Sequence, residues 1–269
     1  MIMTELSPSA FFKAPVYAPS FLKELLEADS PVWTILDDLE DILNTNMSPN
    51  IPEVIEPMTP LDSPIVILPE GWLSQGFELR LGTKGEVQVI IEGEHVKEAS
   101  VVLPGAIFQD RRVQLGKGVV IESTAFIKGP AVIMDHTEVR HGAYVRGNCY
   151  FGRACVVGHT TEVKHSIFLD GAKAGHFAYI GDSVLGHGVN LGAGTKLANL
   201  RLDARNIVLS INGDRVDTGR RKLGAILGDD VQTGCNTVTN PGTILGPGSL
   251  VLPNTTVMPG VYEKKTVIG

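Results

Sequence analysis

Residues 113–133 read VQLGKGVVIESTAFIKGPAVI, and this stretch shows the pattern that decides the fold. A large aliphatic or aromatic residue returns at every sixth position, and the fourth residue after each of these anchors is small or β-branched. A period of six residues fits neither an α-helix nor a simple hairpin sheet. The anchors are Leu115, Ile121, Ile127, Ile133, Val139, Val145, Phe151, Val157, Val163, Leu169, Leu185, Leu191, Leu197, Leu227, Thr233, Thr239, Leu245, Val251 and Val257.

A six-residue unit corresponds to one short strand followed by a sharp turn, and three units close one coil of a prism. The anchor fills the interior, and the small residue lies where the wall bends. Coils then stack about 4.8 Å apart through parallel strand hydrogen bonds. The sequence therefore predicts an all-β parallel β-helix over residues 101–269. Because Cys149 and Cys155 fall on the small-residue position, we expect them to be buried fillers without redox or metal chemistry.

The composition is that of an ordinary folded protein and excludes several function classes. The chain has 269 residues, a net charge of −7 and three cysteines. The negative charge argues against a nucleic-acid groove or an anionic membrane surface as the main partner. Three cysteines exclude a disulfide framework, and the N-terminus lacks the basic start and apolar run of a secretion signal. We expect a cytoplasmic protein with no nucleic-acid or membrane partner.

The region before the repeat predicts helices followed by a proline-rich linker, over residues 1–64. The first helix spans Phe21–Glu27, with Ser20 as its N-cap. A second helix begins after Ser30 and carries an apolar stripe at helical spacing. That stripe consists of Val32, Ile35, Leu36, Leu39, Ile42 and Leu43.

Short strands are predicted over residues 65–100. Within this region, Glu78–Leu81 and Glu86–Ile91 flank the glycine-containing turn at 82–85 and predict a hairpin. Residues 1–100 contain no Gly-rich phosphate loop, so we expect no nucleotidyl transfer from them.

The repeat is interrupted twice, and a regular scaffold places its chemistry at such breaks. Leu169 and Ile180 are eleven residues apart instead of twelve, which puts His176 in a shortened unit. The second break is an insertion at about 198–225, which predicts a protruding hairpin. It ends in Arg220-Arg221-Lys222, a cluster suited to phosphate groups.

Three stretches carry a family resemblance: EVRHGAYVRG at 138–147, GAGTKLANLR at 192–201 and TGRRKLGA at 218–225. Over residues 115–260 the chain resembles the hexapeptide-repeat acyltransferases. It is similar to the C-terminal acetyltransferase domain of the bifunctional enzyme that makes UDP-N-acetylglucosamine, and more similar still to the related sugar-1-phosphate nucleotidyltransferase-like proteins that share this β-helix. The resemblance implies a left-handed β-helix and a homotrimer with active sites between subunits.

The activity that this resemblance implies is acetyl-CoA-dependent N-acetylation of an amino-sugar 1-phosphate such as glucosamine 1-phosphate, in nucleotide-sugar and cell-envelope precursor synthesis. Acetyl-CoA would be a co-substrate, and no metal is implied. The motif Ala-Gly-His matches the family's general base with His176, and an imidazole suits the removal of a proton from the amine.

Further site residues follow from the same match. Positions matched to the sugar phosphate or substrate are Arg146, Lys164, Tyr179, Asn190 and Asn199. Those assigned to the acetyl donor are Ala193, Cys235, Arg220, Arg221 and Lys222. The chain departs from the family pattern at Arg205, Cys235 and Pro253. The repeat itself stacks Arg146 and Lys164 on one wall, because they are eighteen residues, or one coil, apart.

Two alternatives remain open from the sequence. One is a β-helix that serves as an assembly or regulatory module without chemistry of its own. The other, less favoured, is a zinc protein like the γ-class carbonic anhydrases, suggested by the spacing of His136 and His141. His95 is poorly placed to serve as its third ligand.

Overall fold

The computed structural model describes residues 6–14, 18–82 and 86–269 of the chain. Its main feature is a parallel β-helix of about nine turns whose strands form three walls. Along the chain, each coil contributes one strand to wall 1, then one to wall 2, then one to wall 3. The predicted fold class is confirmed: an all-β parallel β-helix, as the repeat predicts, and a left-handed one, as the family resemblance implies.

The strands of the three walls have the following bounds. Wall 1 consists of Ser100–Val102, Val120–Ile121, Glu138–Val139, Val156–His159, Lys173–His176, Asn190–Leu191, Gln232–Thr233, Leu250–Val251 and Val267–Ile268. Wall 2 consists of Ile107–Phe108, Phe126–Lys128, Tyr144–Arg146, Glu162–Lys164, Tyr179–Gly181, Lys196–Leu197, Val238–Thr239 and Thr256–Val257. Wall 3 consists of Val113–Leu115, Ala131–Ile133, Cys149–Phe151, Ser166–Phe168, Val184–Leu185, Ala225–Leu227, Thr243–Leu245 and Gly260–Tyr262.

The interior of the prism is filled as the repeat predicts. The anchor Ile127 and the small residues Cys149 and Cys155 are fully buried. Where the small position is a threonine, its hydroxyl is satisfied locally: Thr137 donates to the carbonyl of Gly152 at 2.7 Å. Buried hydroxyls with such partners avoid the cost of an unmet hydrogen bond.

The anchor predicted at Leu169 is wrong. The sheet register pairs Phe151 with Phe168, and Phe168 lies in the interior cluster. Leu169 is also fully buried, but it faces the cluster outside wall 3. Wall 3 is buried on both faces, so Ile167, Phe168 and Leu169 are all apolar. The spacing of six alone therefore does not show which of the three points into the interior.

The shortened units therefore lie elsewhere than predicted. The interior residues Val163 and Phe168 are five positions apart, and the same is true of Ile180 and Leu185. Both deletions fall at the corner between walls 2 and 3. The unit that holds His176 keeps its six residues, and that histidine ends a regular strand of wall 1.

The N-terminal region is helical, with bounds that differ from the prediction. Two α-helices span Pro8–Phe11 and Ser20–Glu27; Ser20 is the first residue of its helix rather than its cap. The predicted second helix is two elements, a 3-10 helix over Val32–Leu36 and an α-helix over Leu39–Asn46. The break lies at Asp38, whose φ of 53° is a left-handed conformation that Asp tolerates better than most residues.

These helices cover the outer face of wall 3. The hairpin of the insertion, Val208–Ile211 with Asp214–Asp217, joins them there. The hairpin is confirmed, but it does not protrude, because Leu209 is 1% exposed. The cluster between wall 3 and its cover contains Leu6, Phe11, Phe12, Leu22, Leu26, Val32, Trp33, Ile35, Leu36, Leu39, Leu43, Val132, Tyr150, Ile167, Leu169, Val184, Ile207, Leu209, Ile211, Leu223, Ile226 and Ile244.

A small sheet precedes the coils. Ile65–Leu68 and Gly71–Leu73 extend wall 1 with antiparallel pairing. Glu78–Leu81 pairs with Val87–Ile91 as the predicted hairpin, and Glu94–His95 adds a third strand. Positions 83–85 of the predicted turn lie outside the described residues. Within the described part of the chain, no helix is long and apolar enough to cross a membrane.

Candidate functional site

Two cations stand on the outer face of wall 2, as the eighteen-residue spacing predicts. Arg146 and Lys164 end neighbouring parallel strands, and the pairing of Val145 with Val163 keeps them in register. Arg146 Nη1 lies 2.7 Å from Glu162 Oε1, and this hydrogen bond raises the pKa of the guanidinium. Lys164 Nζ lies 3.2 Å from Asp182 Oδ2. Each cation is therefore held in place by a carboxylate while keeping other N–H groups for a ligand.

A chain of hydrogen bonds joins Lys164 to two further predicted residues. Asp182 Oδ2 also accepts a hydrogen bond from the Asn199 side-chain amide. The carbonyl oxygen of that amide accepts from the Tyr179 hydroxyl at 3.2 Å. Asp182 is 5% exposed and Asn199 is 8% exposed, so the network is closed from one side by the protein. Burial, followed by the charges of nearby carboxylates, raises the pKa of the Tyr179 hydroxyl, which therefore remains protonated near neutral pH.

Gly181 makes the approach of Tyr179 and Asn199 possible. A Cβ at this position would lie 2.7 Å from Asn199 Nδ2 and 2.8 Å from the Tyr179 oxygen. Any side chain here would therefore displace the network. The glycine belongs to the site for a steric reason, because its own φ is ordinary.

His176 lies on a different surface. It ends the strand Lys173–His176 of wall 1, at the corner that leads to wall 2, and it is exposed. It lines an open groove of about 640 Å³ on the outside of wall 1. The groove also contains the predicted residues Asn190, Ala193 and Cys235. These residues come from successive coils, so the coil spacing alone brings them together.

The corner that holds His176 carries a column of histidines. His159 pairs with His176 in the sheet register, and their rings stack with centroids 5.8 Å apart. The next residue, Phe177, has a φ of 34° and is 55% exposed. A left-handed conformation is costly for an aromatic residue and marks local strain. The Phe177 ring sits over Gly194, where a Cβ would approach it to 3.0 Å.

The basic cluster of the insertion belongs to neither group of side chains, although the chain that follows it contacts wall 2: the Leu223 N–H donates to the Asn199 carbonyl at 3.0 Å. Arg220 pairs with Asp37 of the N-terminal cover. Arg221 Nε donates to the carbonyl of Ala204 at 3.2 Å, and Lys222 bridges to Leu200. None of the three basic residues is part of the groove lining formed by the described residues. The structure therefore gathers the predicted site residues into two groups, and the side chains of this cluster make their contacts outside both.

Three residues of these surfaces were missed by the sequence reading. Glu162 and Asp182 hold the two cations, and His159 stacks on His176. A signal was present for Asp182 and His159. Asp182 follows Lys164 by eighteen residues, and His159 precedes His176 by seventeen, close to one coil in each case.

The zinc alternative receives no geometric support. His136 and His141 lie at opposite ends of the wall 1 strand Glu138–Val139, and His95 lies in the separate small sheet. Within residues 6–14, 18–82 and 86–269, no group of three or more His, Cys, Asp or Glu side chains is placed to hold a metal ion.

Comparison with known proteins places the repeat region in a family. The model of the GMPPB C-terminal domain matches residues 127–267, which is more than half of the chain. The chain belongs to this family. The match to the GMPPB C-terminal domain covers both surfaces described above.

Individual relatives are similar over the same region. A protein of Sulfurisphaera tokodaii named bifunctional sugar-1-phosphate nucleotidylyltransferase/acetyltransferase is 36% identical over 140 residues, which are 45% of this chain and 35% of that protein. The bifunctional protein GlmU of Methanococcus vannielii is 40% identical over 100 residues, 37% of this chain and 24% of that protein. The chain thus spans about a third or less of these relatives. The solved UDP-N-acetylglucosamine acyltransferase from Campylobacter jejuni has a TM-score of 0.36 and 15% identity, with 60% of this chain and 68% of that chain covered.

Proposed function

We propose that this chain is an acetyl-CoA-dependent N-acetyltransferase that acts on an amino-sugar 1-phosphate, in the synthesis of nucleotide-sugar precursors in the cytoplasm. The observation that carries the proposal is the network on wall 2. Arg146 and Lys164 present charge-assisted donors from neighbouring strands. Glu162 holds Arg146, and buried Asp182, which also accepts from Asn199, holds Lys164. Such donors suit a phosphate group. The names of two relatives support the same reaction class: one is called a bifunctional sugar-1-phosphate nucleotidylyltransferase/acetyltransferase, and the other is called GlmU.

His176 would supply the proton transfer. A neutral imidazole accepts a proton from the sugar amine while the amine nitrogen forms a bond to the thioester carbonyl carbon. The carbon–sulfur bond then breaks, and the thiolate leaves and takes up a proton. The ring nitrogens of His176 make no hydrogen bond within the described part of the chain, so the lone pair remains available. Charge on the carbonyl oxygen would be stabilised by backbone N–H groups at the coil corner.

The two surfaces lie on adjacent walls of one chain, which favours an assembly that completes the site. We propose a homotrimer, since closed symmetric assemblies are the common solution for soluble proteins. Wall 3 is covered by the chain's own helices and hairpin, so walls 1 and 2 are the faces available to neighbours. Light scattering should give three times the 28.8 kDa mass of one chain.

One observation favours the alternative of a non-catalytic module. Both Arg146 and Lys164 are already paired with carboxylates, as in a purely structural network. Such a module would bind neither substrate and release no thiol.

The deciding experiment is thiol release from acetyl-CoA. The purified chain is incubated with glucosamine 1-phosphate, glucosamine 6-phosphate or glucosamine, and the product is identified by mass spectrometry. We expect N-acetylation that depends on the 1-phosphate. Thiol release no faster than in buffer with every amino-sugar phosphate would contradict the proposal and support the non-catalytic module.

A further inference from the structure

The cationic surface of wall 2 extends one coil beyond the pair already described. Lys128 pairs with Arg146 in the sheet register, and Arg146 stands in register with Lys164. The interior neighbours Ile127, Val145 and Val163 are fully buried. Because side chains alternate along a strand, all three cations point outward in one column. We name these three residues the basic ladder.

Lys128 differs from the other two members of the basic ladder. Arg146 is paired with Glu162, and Lys164 is paired with Asp182. Among the described residues, the Lys128 ammonium group has no hydrogen-bond or ion-pair partner. It stands unpaired on a chain whose net charge is −7, where carboxylates are more abundant than cations. A ligand anion would be its natural counter-charge.

An aromatic pair lies beside the free end of the basic ladder. Phe126 and Tyr144 occupy the neighbouring outward column on the same two strands, and their register is direct. Their rings pack edge to face, with centroids 5.5 Å apart and planes at 87°. The Arg146 guanidinium lies over the Tyr144 ring, 5.9 Å from its centroid, and Tyr144 remains 41% exposed. An exposed aromatic face next to a guanidinium is a stacking surface for a planar ring.

We propose that wall 2 carries a site for a nucleoside diphosphate, the activated end of a nucleotide sugar. The basic ladder holds the two phosphates, and Phe126 with Tyr144 supports the base. This inference rests on the proposed function in that Arg146 and Lys164 serve both ligands. It goes further by assigning Lys128 to the second phosphate and the aromatic pair to the base, two contacts that a sugar 1-phosphate does not require.

The dimensions of the sheet support two linked phosphates over one. Adjacent rungs lie about 4.8 Å apart, so the outer members of the basic ladder are separated by two rungs. A single phosphate bound between Arg146 and Lys164 leaves Lys128 without a counter-charge. A second phosphate, linked to the first, extends along the column toward Lys128. The ribose and base then continue toward the aromatic pair, which flanks that end of the column.

Binding measured by calorimetry on the full chain tests the assignment. The probes are UDP, GDP, inorganic pyrophosphate and glucosamine 1-phosphate. We expect Lys128→Ala to weaken the binding of UDP, GDP and pyrophosphate about 10-fold or more, because a charge-assisted contact is lost. Glucosamine 1-phosphate should bind Lys128→Ala as it binds the wild type. Lys128→Arg should restore most of the nucleotide affinity.

Tyr144→Ala separates the base from the phosphates. It should weaken UDP and GDP about 10-fold through lost stacking while leaving pyrophosphate unchanged. Lys265→Ala, which removes an exposed lysine from the last coil, is the matched control and should change nothing. Should Tyr144→Ala lower the mass of the assembly while nucleotide affinity is unchanged, the aromatic pair is a subunit contact and the inference is wrong.

The outcomes also separate this inference from the proposed function. Acetylation of glucosamine 1-phosphate without measurable binding of UDP or GDP at millimolar concentration overturns the inference and leaves the function intact. Binding of UDP or GDP that depends on Lys128, in a chain that acetylates no amino sugar, leaves the inference intact and overturns the function. Equal losses in Lys128→Ala and Lys265→Ala overturn the inference, because a general charge effect then explains the binding.

Discussion

The imidazole rings of His159 and His176 lie almost parallel, with centroids 5.8 Å apart and planes inclined by 29°. The contact follows from the coil, because the two residues are direct partners in neighbouring strands of wall 1. The stack limits the orientations that the His176 ring can adopt at the rim of the groove. Phe177, the next residue, has a left-handed backbone conformation with a φ of 34°.

Replacement of His176 by alanine should reduce acetyl transfer by about 10² to 10⁴-fold, the usual loss when a general base is removed. The fold should persist, because His176 is exposed and outside the interior cluster. The measurement is thiol release, with circular dichroism as the check on folding. His95→Ala removes another exposed histidine, from the separate small sheet, and should keep full activity. A His176→Ala variant with most of the wild-type rate would show that the base lies elsewhere.

Asp182→Asn should raise the KM for the sugar phosphate about 10-fold and leave the KM for acetyl-CoA unchanged. The reason is that Asp182 Oδ2 accepts from both Lys164 and Asn199, so its loss frees two binding residues at once. Broken buried hydrogen bonds should also lower the free energy of unfolding by about 1–3 kcal/mol.

The control for this variant is Asp203→Asn, which breaks an exposed pair with Arg201. It should leave both KM values and the stability unchanged. Equal rises in the KM values for the two substrates of the Asp182 variant would indicate general misfolding rather than a positioning role.

The sequence predicts the β-helix and the neighbouring positions of Arg146 and Lys164 because both depend on spacing, whereas Tyr179 and Asn199 are found through the family resemblance. Parallel coils convert eighteen residues into one step along a wall, so Arg146 and Lys164 come together without knowledge of the rest of the fold. The deletions near His165 and Asp182 shift the later coils by one residue each. The deletion near His165 pairs Lys164 with Gly181, so Asp182 lies one position beyond the residue that is one coil after Lys164.

The cover of wall 3 is the part that spacing does not predict. The strands of wall 3 are continuous apolar triplets, such as Ala131–Ile133 and Cys149–Phe151, because both faces of this wall are buried. Strands with two buried faces lose the alternation that marks a one-sided wall. The apolar triplets of wall 3 therefore indicate that its outer face is covered, but they do not identify the helices and hairpin that cover it.

Leu39→Ala should lower the free energy of unfolding by about 2–5 kcal/mol, the usual cost of a large buried truncation. Leu39 is fully buried in the cluster between the N-terminal cover and wall 3. Leu202→Ala is the matched control, since that leucine is fully exposed in the insertion and should have little effect. Urea unfolding followed by circular dichroism gives both values. Similar stabilities for the two variants would contradict the account of wall 3 as a sealed face.

Stability should fall as the pH drops below about 6.5, and His165 should be one cause. Burial lowers the pKa of this imidazole, with the nearby charge of Asp182 acting in the opposite direction, and its Nε2 lies 2.9 Å from the carbonyl oxygen of Leu36. The unfolded chain therefore takes up the proton at a higher pH than the folded chain does. The contribution of His165 to the free energy of unfolding is complete above the pKa that this imidazole has in the unfolded chain. It is lost as the pH falls from that pKa to the lower pKa of the folded chain.

His165→Gln tests this account, because glutamine keeps a donor for the Leu36 carbonyl but does not titrate. Urea unfolding between pH 7.5 and 5 should show a smaller loss of stability in the variant than in the wild type. Parallel curves for the two proteins would assign the pH dependence to other groups.

Only Cys235 of the three cysteines should react with a thiol reagent in the folded protein. Cys149 and Cys155 are buried, and burial raises the pKa of each thiol to about 12, so almost no thiolate forms near pH 8. Cys235 is exposed and lines the groove that contains His176. Titration with dithionitrobenzoate should count one thiol before unfolding and three after it.

Saturating acetyl-CoA should slow the reaction of Cys235 if the groove holds the acyl donor, while Cys235→Ser should abolish the fast phase. A rate unaffected by acetyl-CoA would place the donor on another surface.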